Sequence, residues 1–161
     1  MISGELTPVQ VSIVDVAVVR FGTAGLETLL LRRAAGMRCA GAWEIIHGSI
    51  ARGETPQAAA LRELHEETAL TLERLYNVTL GGFYLHKQRV LSLTVVFCAL
   101  IAPHAEPPTL GPEHDAWRWL PFADAMNETA WPREREALQQ IAHLFRNGRD
   151  AGFVEDVLRV I

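Results

Sequence analysis

The sequence predicts an α/β fold, a mixed sheet with helices inserted between its strands. Three observations carry that expectation. Runs rich in β-branched and aromatic residues recur at Val9–Phe21, Arg74–Tyr84 and Arg89–Ile101, as half-buried strands require. One segment between them, Pro56–Thr68, is built instead of strong helix formers behind a Thr55-Pro56 start. A second run of helix formers, Pro132–Asn147, follows the last strand and stops at Gly148.

Taken in order, Val9–Phe21 reads as the first strand, Gly22–Gly25 as a turn and Thr28–Leu31 as the second strand. Ala34–Ala42 is small and glycine-bearing, a loop. Trp43–Ile46 is a short apolar segment leading into a loop over His47–Glu54. Thr55 can accept a hydrogen bond from a first-turn amide, and Pro56 lacks only an N–H that helix starts leave unpaired anyway. The two later strands precede a proline-rich loop, Pro103–Pro112, and a short strand, Ala116–Leu120. The tail Phe153–Ile161 is expected to be a short amphipathic helix packed on the body. No repeat or low-complexity tract interrupts this order, and 161 residues suit one domain spanning 1–161 with a real core.

Composition narrows the function. Hydrophobic residues make up 49% and charged residues 21%, a globular balance. A net charge of -4 and a pI near 5.8 argue against binding duplex nucleic acid, which needs a basic surface. Phosphorylated ligands stay open, provided that a metal and a few arginines supply local positive charge. Cys39 and Cys98 form neither a disulfide framework nor a CxxC zinc pair, so both are expected as free thiols. The N-terminus lacks a basic segment followed by an apolar run, and Val90–Ala102 is too short and interrupted to span a bilayer. The expectation is a cytoplasmic protein without membrane attachment.

The chemistry is concentrated in WEIIHGSIARGETPQAAALRELHEETAL, Trp43–Leu70. At about 100° per residue, Ala60, Leu61, Leu64 and Thr68 share one helical face, which must go to the core. Glu63, Glu66 and Glu67, at i, i+3 and i+4, form another patch centred roughly 120° away. A run such as RELHEE also suits an ordinary solvated helix. Three neighbouring carboxylates nevertheless repel each other unless a cation neutralises them. An all-oxygen cluster suits a hard cation, magnesium above all, which shares its sphere with substrate phosphates.

The residues before the helix decide between these readings. Gly48, Glu54, Arg62, Glu63, Leu64, Glu66, Glu67 and Leu70 fall at the spacing of the Nudix box. That pattern is Gly, five residues, Glu, seven residues, Arg-Glu, an aliphatic residue, any residue, Glu-Glu, any residue, Gly and an aliphatic residue. Ala69 stands where the pattern has glycine. The chain therefore resembles the Nudix hydrolase family. His47-Gly48-Ser49 replaces the Pro-Gly-Gly of many members. With Trp43, and with Glu113-His114 followed by Trp117, Trp119 and Leu120, it resembles the bacterial dihydroneopterin triphosphate (dATP) pyrophosphohydrolase subgroup. Leu31 departs from that subgroup, which has glutamine before two arginines.

The resemblance implies an α/β/α sandwich with a loop–helix–loop motif, and a Mg2+-dependent hydrolase for which Mn2+ can substitute. It implies metal ligands at Glu63, Glu66, Glu67 and the His47 carbonyl, with Glu113 as a further ligand or base. Arg62 would orient the glutamates through Glu54 or a loop carbonyl, Glu54 being structural. Arg32 and Arg33 match positions that contact substrate. They point to opposite faces if still extended, and Arg32 is preferred. Arg52, in a glycine-flanked loop, is a further phosphate candidate. His114 is expected as a surface or packing residue, and Trp117 and Trp119 mainly as core residues. The implied partner is a small nucleotide-like diphosphate, cut to a monophosphate and pyrophosphate when it is a triphosphate. ADP-ribose, a dinucleoside polyphosphate, an oxidised nucleotide and capped RNA are alternative substrates. A ligand-sensing module on the same scaffold is the competing class. Such modules often lose a glutamate, and this chain keeps all of them.

Overall fold

The computed structural model describes residues 6–161. The first five residues, with the N-terminal reading that rests on them, lie outside the described residues. Strand β1, Val9–Gly22, runs through the middle of the sheet. Its side chains alternate: Val14, Val16 and Val18 enter one core cluster, and Ala17 and Val19 the other. Asp15 therefore shares the second face. β2, Gly25–Arg33, returns antiparallel to β1, and β6, Val90–Leu100, lies parallel to it on the other side. β5, Arg74–Leu85, is the antiparallel edge beside β6. β3, Trp43–Glu44, and β7, His114–Pro121, pair with β2, while β4, Ile46–Ser49, pairs with β1. Among the described strands only the β1–β6 pairing is parallel, so the sheet is mixed, as expected.

Helices cover both faces. α1, Pro56–Thr68, lays Ala59, Ala60 and Leu64 on the face of Val14, Val16, Leu29 and Phe97. α2, Phe122–Glu128, and α3, Pro132–Leu144, cover the other with Phe122, Ala125, Leu138 and Ile141. This is an α/β/α sandwich.

The structure corrects several expectations. His47, Gly48 and Ser49 belong to a strand, not a loop, because Asp15 and Val14 of β1 offer them ladder partners. α2 was not expected. α3 stops at Leu144, where Phe145 turns edge-on to Tyr76 at 5.2 Å and to Phe21 at 6.0 Å. The tail forms only a 3-10 turn and one helical turn, α4, Glu155–Leu158, and Phe153 is fully exposed. The chain end instead bonds through Val160 and Ile161 to the backbone of Leu75, on the edge strand. Trp119 packs on the first core cluster, but Trp117 is 38% exposed. Among the described residues no helix is long and apolar enough to cross a membrane. Cys39 is exposed and Cys98 buried, neither in a disulfide.

Candidate active site

Thr55 caps α1 as expected, its hydroxyl accepting from the Ala58 amide at 3.2 Å. Inside the helix, Arg62 ties the motif together. It donates from Nε and Nη2 to the two oxygens of Glu54 at 2.9 and 3.0 Å, and from Nη2 to the Ser49 carbonyl at 2.9 Å. Its Nη1 reaches Glu63 at 2.7 Å and Glu66 at 3.3 Å. Glu54 also accepts from the Ala51 amide, and these bonds hold its carboxyl down at about 2. The loop before α1 is thus clamped to the helix, both through Glu54 and through the loop carbonyl.

Two box positions gain a physical reason. A Cβ on Gly48 would stand 2.0 Å from the Glu63 Cδ, so glycine lets that carboxylate lie flat across β4. Ala69 adopts φ 55° and ψ 14°, its amide bonding to the His65 carbonyl. The left-handed exit normally given to glycine is therefore kept, at a cost of about 1 kcal/mol for alanine.

Glu67 differs from the other two box glutamates. At i+7 from Ala60 it lies only ~20° from that core residue around the helix. It is 6% exposed, and its Oε2 has no hydrogen-bond partner. Burial first, then the charges of Glu63, Glu113 and Glu44, push its carboxyl up to about 9. His114 was expected as a surface or packing residue. It is buried behind Glu67, with Nδ1 3.7 Å from that orphan oxygen and Nε2 3.3 Å from Glu44. Glu44, on β3, also faces Arg33 at 3.4 Å and accepts from the Trp131 indole at 3.2 Å.

A cleft of about 970 Å³ opens in front of these groups. Glu63, Glu66, Gly48, His47, Glu113 and Arg33 all line it, with Arg33 donating to Glu113 at 2.6 Å. Phe83–Gln88, at the β5–β6 hairpin, and Trp131 and Arg133, at the start of α3, line it as well. Of the two candidate arginines, Arg33 and not Arg32 lines the cleft. Arg33 has the parity of Leu29 and Leu31 and so shares the α1 face, whereas Arg32 turns away, to Asp115 at 2.7 Å and over Trp43. Arg52 is exposed in a turn and does not line the cleft.

The donor set fits a divalent cation: a buried, unpartnered carboxylate oxygen flanked by further carboxylates, with no thiol or amine among them. Among the described residues no three acidic, histidine or cysteine side chains already converge on one point. Glu63 and Glu66 are turned toward Arg62.

Sequence reasoning missed Asp15, Glu44 and Arg133. The available signal was an acid inside an otherwise apolar strand, in SIVDVAVV and in WEII. Arg133 carried no local signal.

A NUDIX domain profile matches residues 11–141. This chain belongs to the Nudix hydrolase family. Among curated relatives, this Nudix chain is 32% identical over 124 residues to an RNA pyrophosphohydrolase of Brucella ovis, covering 65% of this chain and 68% of that protein. It is 30% identical over 129 residues to an octanoyltransferase of Myxococcus xanthus, covering 79% of this chain but only 35% of that longer protein. Among solved structures, the Escherichia coli dihydroneopterin triphosphate pyrophosphohydrolase superposes with a TM-score of 0.59 at 26% identity, over 79% of this chain and 92% of that one. The NUDIX domain of Shewanella oneidensis NrtR, complexed with ADP ribose, superposes at 0.68 and 20% identity, over 88% and 90%, a likeness of fold.

Proposed function

We propose that this Nudix chain is a magnesium-dependent pyrophosphohydrolase acting on a nucleoside triphosphate or a similar compound, of the dATP or dihydroneopterin triphosphate type. The single observation that carries the reading is the buried Glu67 carboxylate, unpartnered at Oε2 and surrounded by like charges at the cleft. A core position gains nothing from such a group unless a cation joins it.

Glu63, Glu66, Glu67 and Glu113, with the His47 carbonyl, would hold the divalent ion. Bound there, Mg2+ supplies charge neutralisation on the diphosphate and activation of water. The chain's own residues do the rest. Arg62 holds the carboxylates of Glu63 and Glu66 by hydrogen bonds, and both would turn from it toward the ion on binding. Arg33, held between Glu44 and Glu113, presents a guanidinium to a substrate phosphate. Glu113, bonded to Arg33 and lining the cleft, would serve as a further carboxylate for the ion or the attacking water.

The test is release of pyrophosphate and phosphate, with and without Mg2+. The panel comprises dATP, other nucleoside triphosphates, dihydroneopterin triphosphate, ADP-ribose and a 5′-triphosphorylated RNA. Pyrophosphate release from a small triphosphate, only with the ion, is expected. No turnover of any member would overturn the reading. Similarity to RNA pyrophosphohydrolases favours the RNA 5′ end as the second substrate to examine.

A further inference from the structure

Asp15 is the least expected charge in the molecule. It stands midway along the central strand and is 1% exposed, where an apolar residue would serve the core at least as well. Its two side-chain partners both line the cleft. His47 Nδ1 lies 2.6 Å from Oδ1. Arg133 donates from Nε to Oδ2 at 2.9 Å and from Nη2 to Oδ1 at 3.3 Å. A ring nitrogen so close to a carboxylate oxygen needs a proton between them. Nδ1–H therefore donates to Asp15, and the 3.0 Å approach of Arg133 Nη2 to Nδ1 is packing rather than a bond.

Arg133 is held from its faces as well. Its Cζ lies 4.9 Å from the Trp131 ring centroid and 5.6 Å from that of Phe83. Nε and Nη2 are committed to Asp15, while Nη1 takes no part in that network. Arg38 and Lys87 also line the cleft, but both are exposed and would lose rotamer freedom on binding an anion. Arg133 is already ordered. It lines the same cleft as Glu63 and Glu66, outside the sequence motif.

We infer that Arg133, oriented by Asp15, is a substrate-binding residue. It contacts a phosphate other than those bridged at Glu63, Glu66 and Glu67. This deepens the hydrolase reading and rests on it. A binding group there favours a chain of three phosphates over a single diphosphate linkage, so the substrate class is the nucleoside triphosphate rather than ADP-ribose.

Two nonhydrolysable methylene analogues, one of a nucleoside triphosphate and one of ADP-ribose, are titrated in Mg2+ into wild type, R133Q, R133K and D15N. R133Q is expected to weaken the triphosphate analogue by about tenfold or more, the loss of a charge-assisted hydrogen bond. The ADP-ribose analogue should change by less than about twofold, because it does not reach that residue. R133K restores part of the loss, and D15N shows a smaller loss with the same selectivity. In turnover, R133Q raises KM for the triphosphate while kcat stays near wild type. If R133Q melts early, D15N/R133Q removes the stranded carboxylate, and the same selective loss is required of it. Equal losses on both analogues, no loss on either, or a wild type that binds neither overturns the inference. Selective binding through Arg133 without turnover of any substrate would instead overturn the hydrolase reading alone. Turnover with an unchanged R133Q KM would overturn the Arg133 assignment alone.

Discussion

Two charged networks flank the cleft, and they are assembled by opposite rules. The first is local. Arg62 reaches Glu54, eight residues away, and Glu63 and Glu66 on its own helix, and Arg62 and Glu66 remain partly in water. The second joins residues far apart in sequence. Asp15 meets His47 across 32 residues and Arg133 across 118, around an almost fully buried carboxylate. The local network lies within one short stretch of sequence, Glu54 to Glu66, so its members are neighbours before any tertiary packing. The distant one exists only once β4 has paired with β1 and α3 has docked on the sheet. Glu67 sits between these cases. It belongs to the local motif by spacing but is buried like Asp15, and unlike Asp15 it lacks a partner for one oxygen.

Substitutions can sharpen this contrast, and the largest effect is expected at Glu67. Glu67→Gln should lower kcat on the order of a thousandfold. Its melting temperature should stay the same or rise, since glutamine is neutral where burial raises the glutamate carboxyl to about 9, a cost to folding at neutral pH. Steady-state kinetics beside thermal melts checks both halves, and a loss of activity caused by unfolding would break the account. Gly48→Ala comes next. The three atoms nearest to the new methyl all belong to the Glu63 side chain, so the carboxylate moves rather than the backbone. Activity should fall about a hundredfold, the scale of a 1 Å misplacement, with little loss of stability.

Glu134 tests the buried network by pH. Burial, opposed by the Thr129 hydroxyl bond, raises its carboxyl from the ordinary 4.5 to about 8. The folded state therefore favours the protonated form. That contribution is complete below about pH 4.5 and is lost as the pH rises through about 8. Glutamine stays neutral and keeps an oxygen for the Ile45 amide. Glu134→Gln should match wild type near pH 5 and melt roughly 10 °C higher at pH 9. Parallel Tm–pH profiles would contradict this. The smallest effect belongs to Ala69→Gly. Relief of the left-handed alanine should add about 1 kcal/mol to stability, seen by chemical denaturation, and leave kcat/KM unchanged.

Legibility followed the range of the interactions. The strand cores, the Thr55-capped helix and the body of α3 were visible because their periodicity is local. α2 was not, since FADAMNE is two turns long with no side-chain cap at Pro121. β4 was missed because a strand through His47-Gly48-Ser49 is dictated by its partner, not by propensity. In the site, the box carboxylates were legible from spacing, and the Arg62–Glu54 pair only from the family resemblance, which left a loop carbonyl as its alternative. The choice between Arg32 and Arg33 needed the strand's facing, and Asp15, Glu44 and Arg133 needed the tertiary fold.

The claim beneath all of this is that Glu67 is held buried and unpartnered for a divalent cation. Electron paramagnetic resonance of free Mn2+ during titration into wild type and Glu67→Gln addresses it most directly. The account predicts binding by wild type and an affinity at least about tenfold weaker in the variant. Equal affinities, or no binding by either protein, would contradict it.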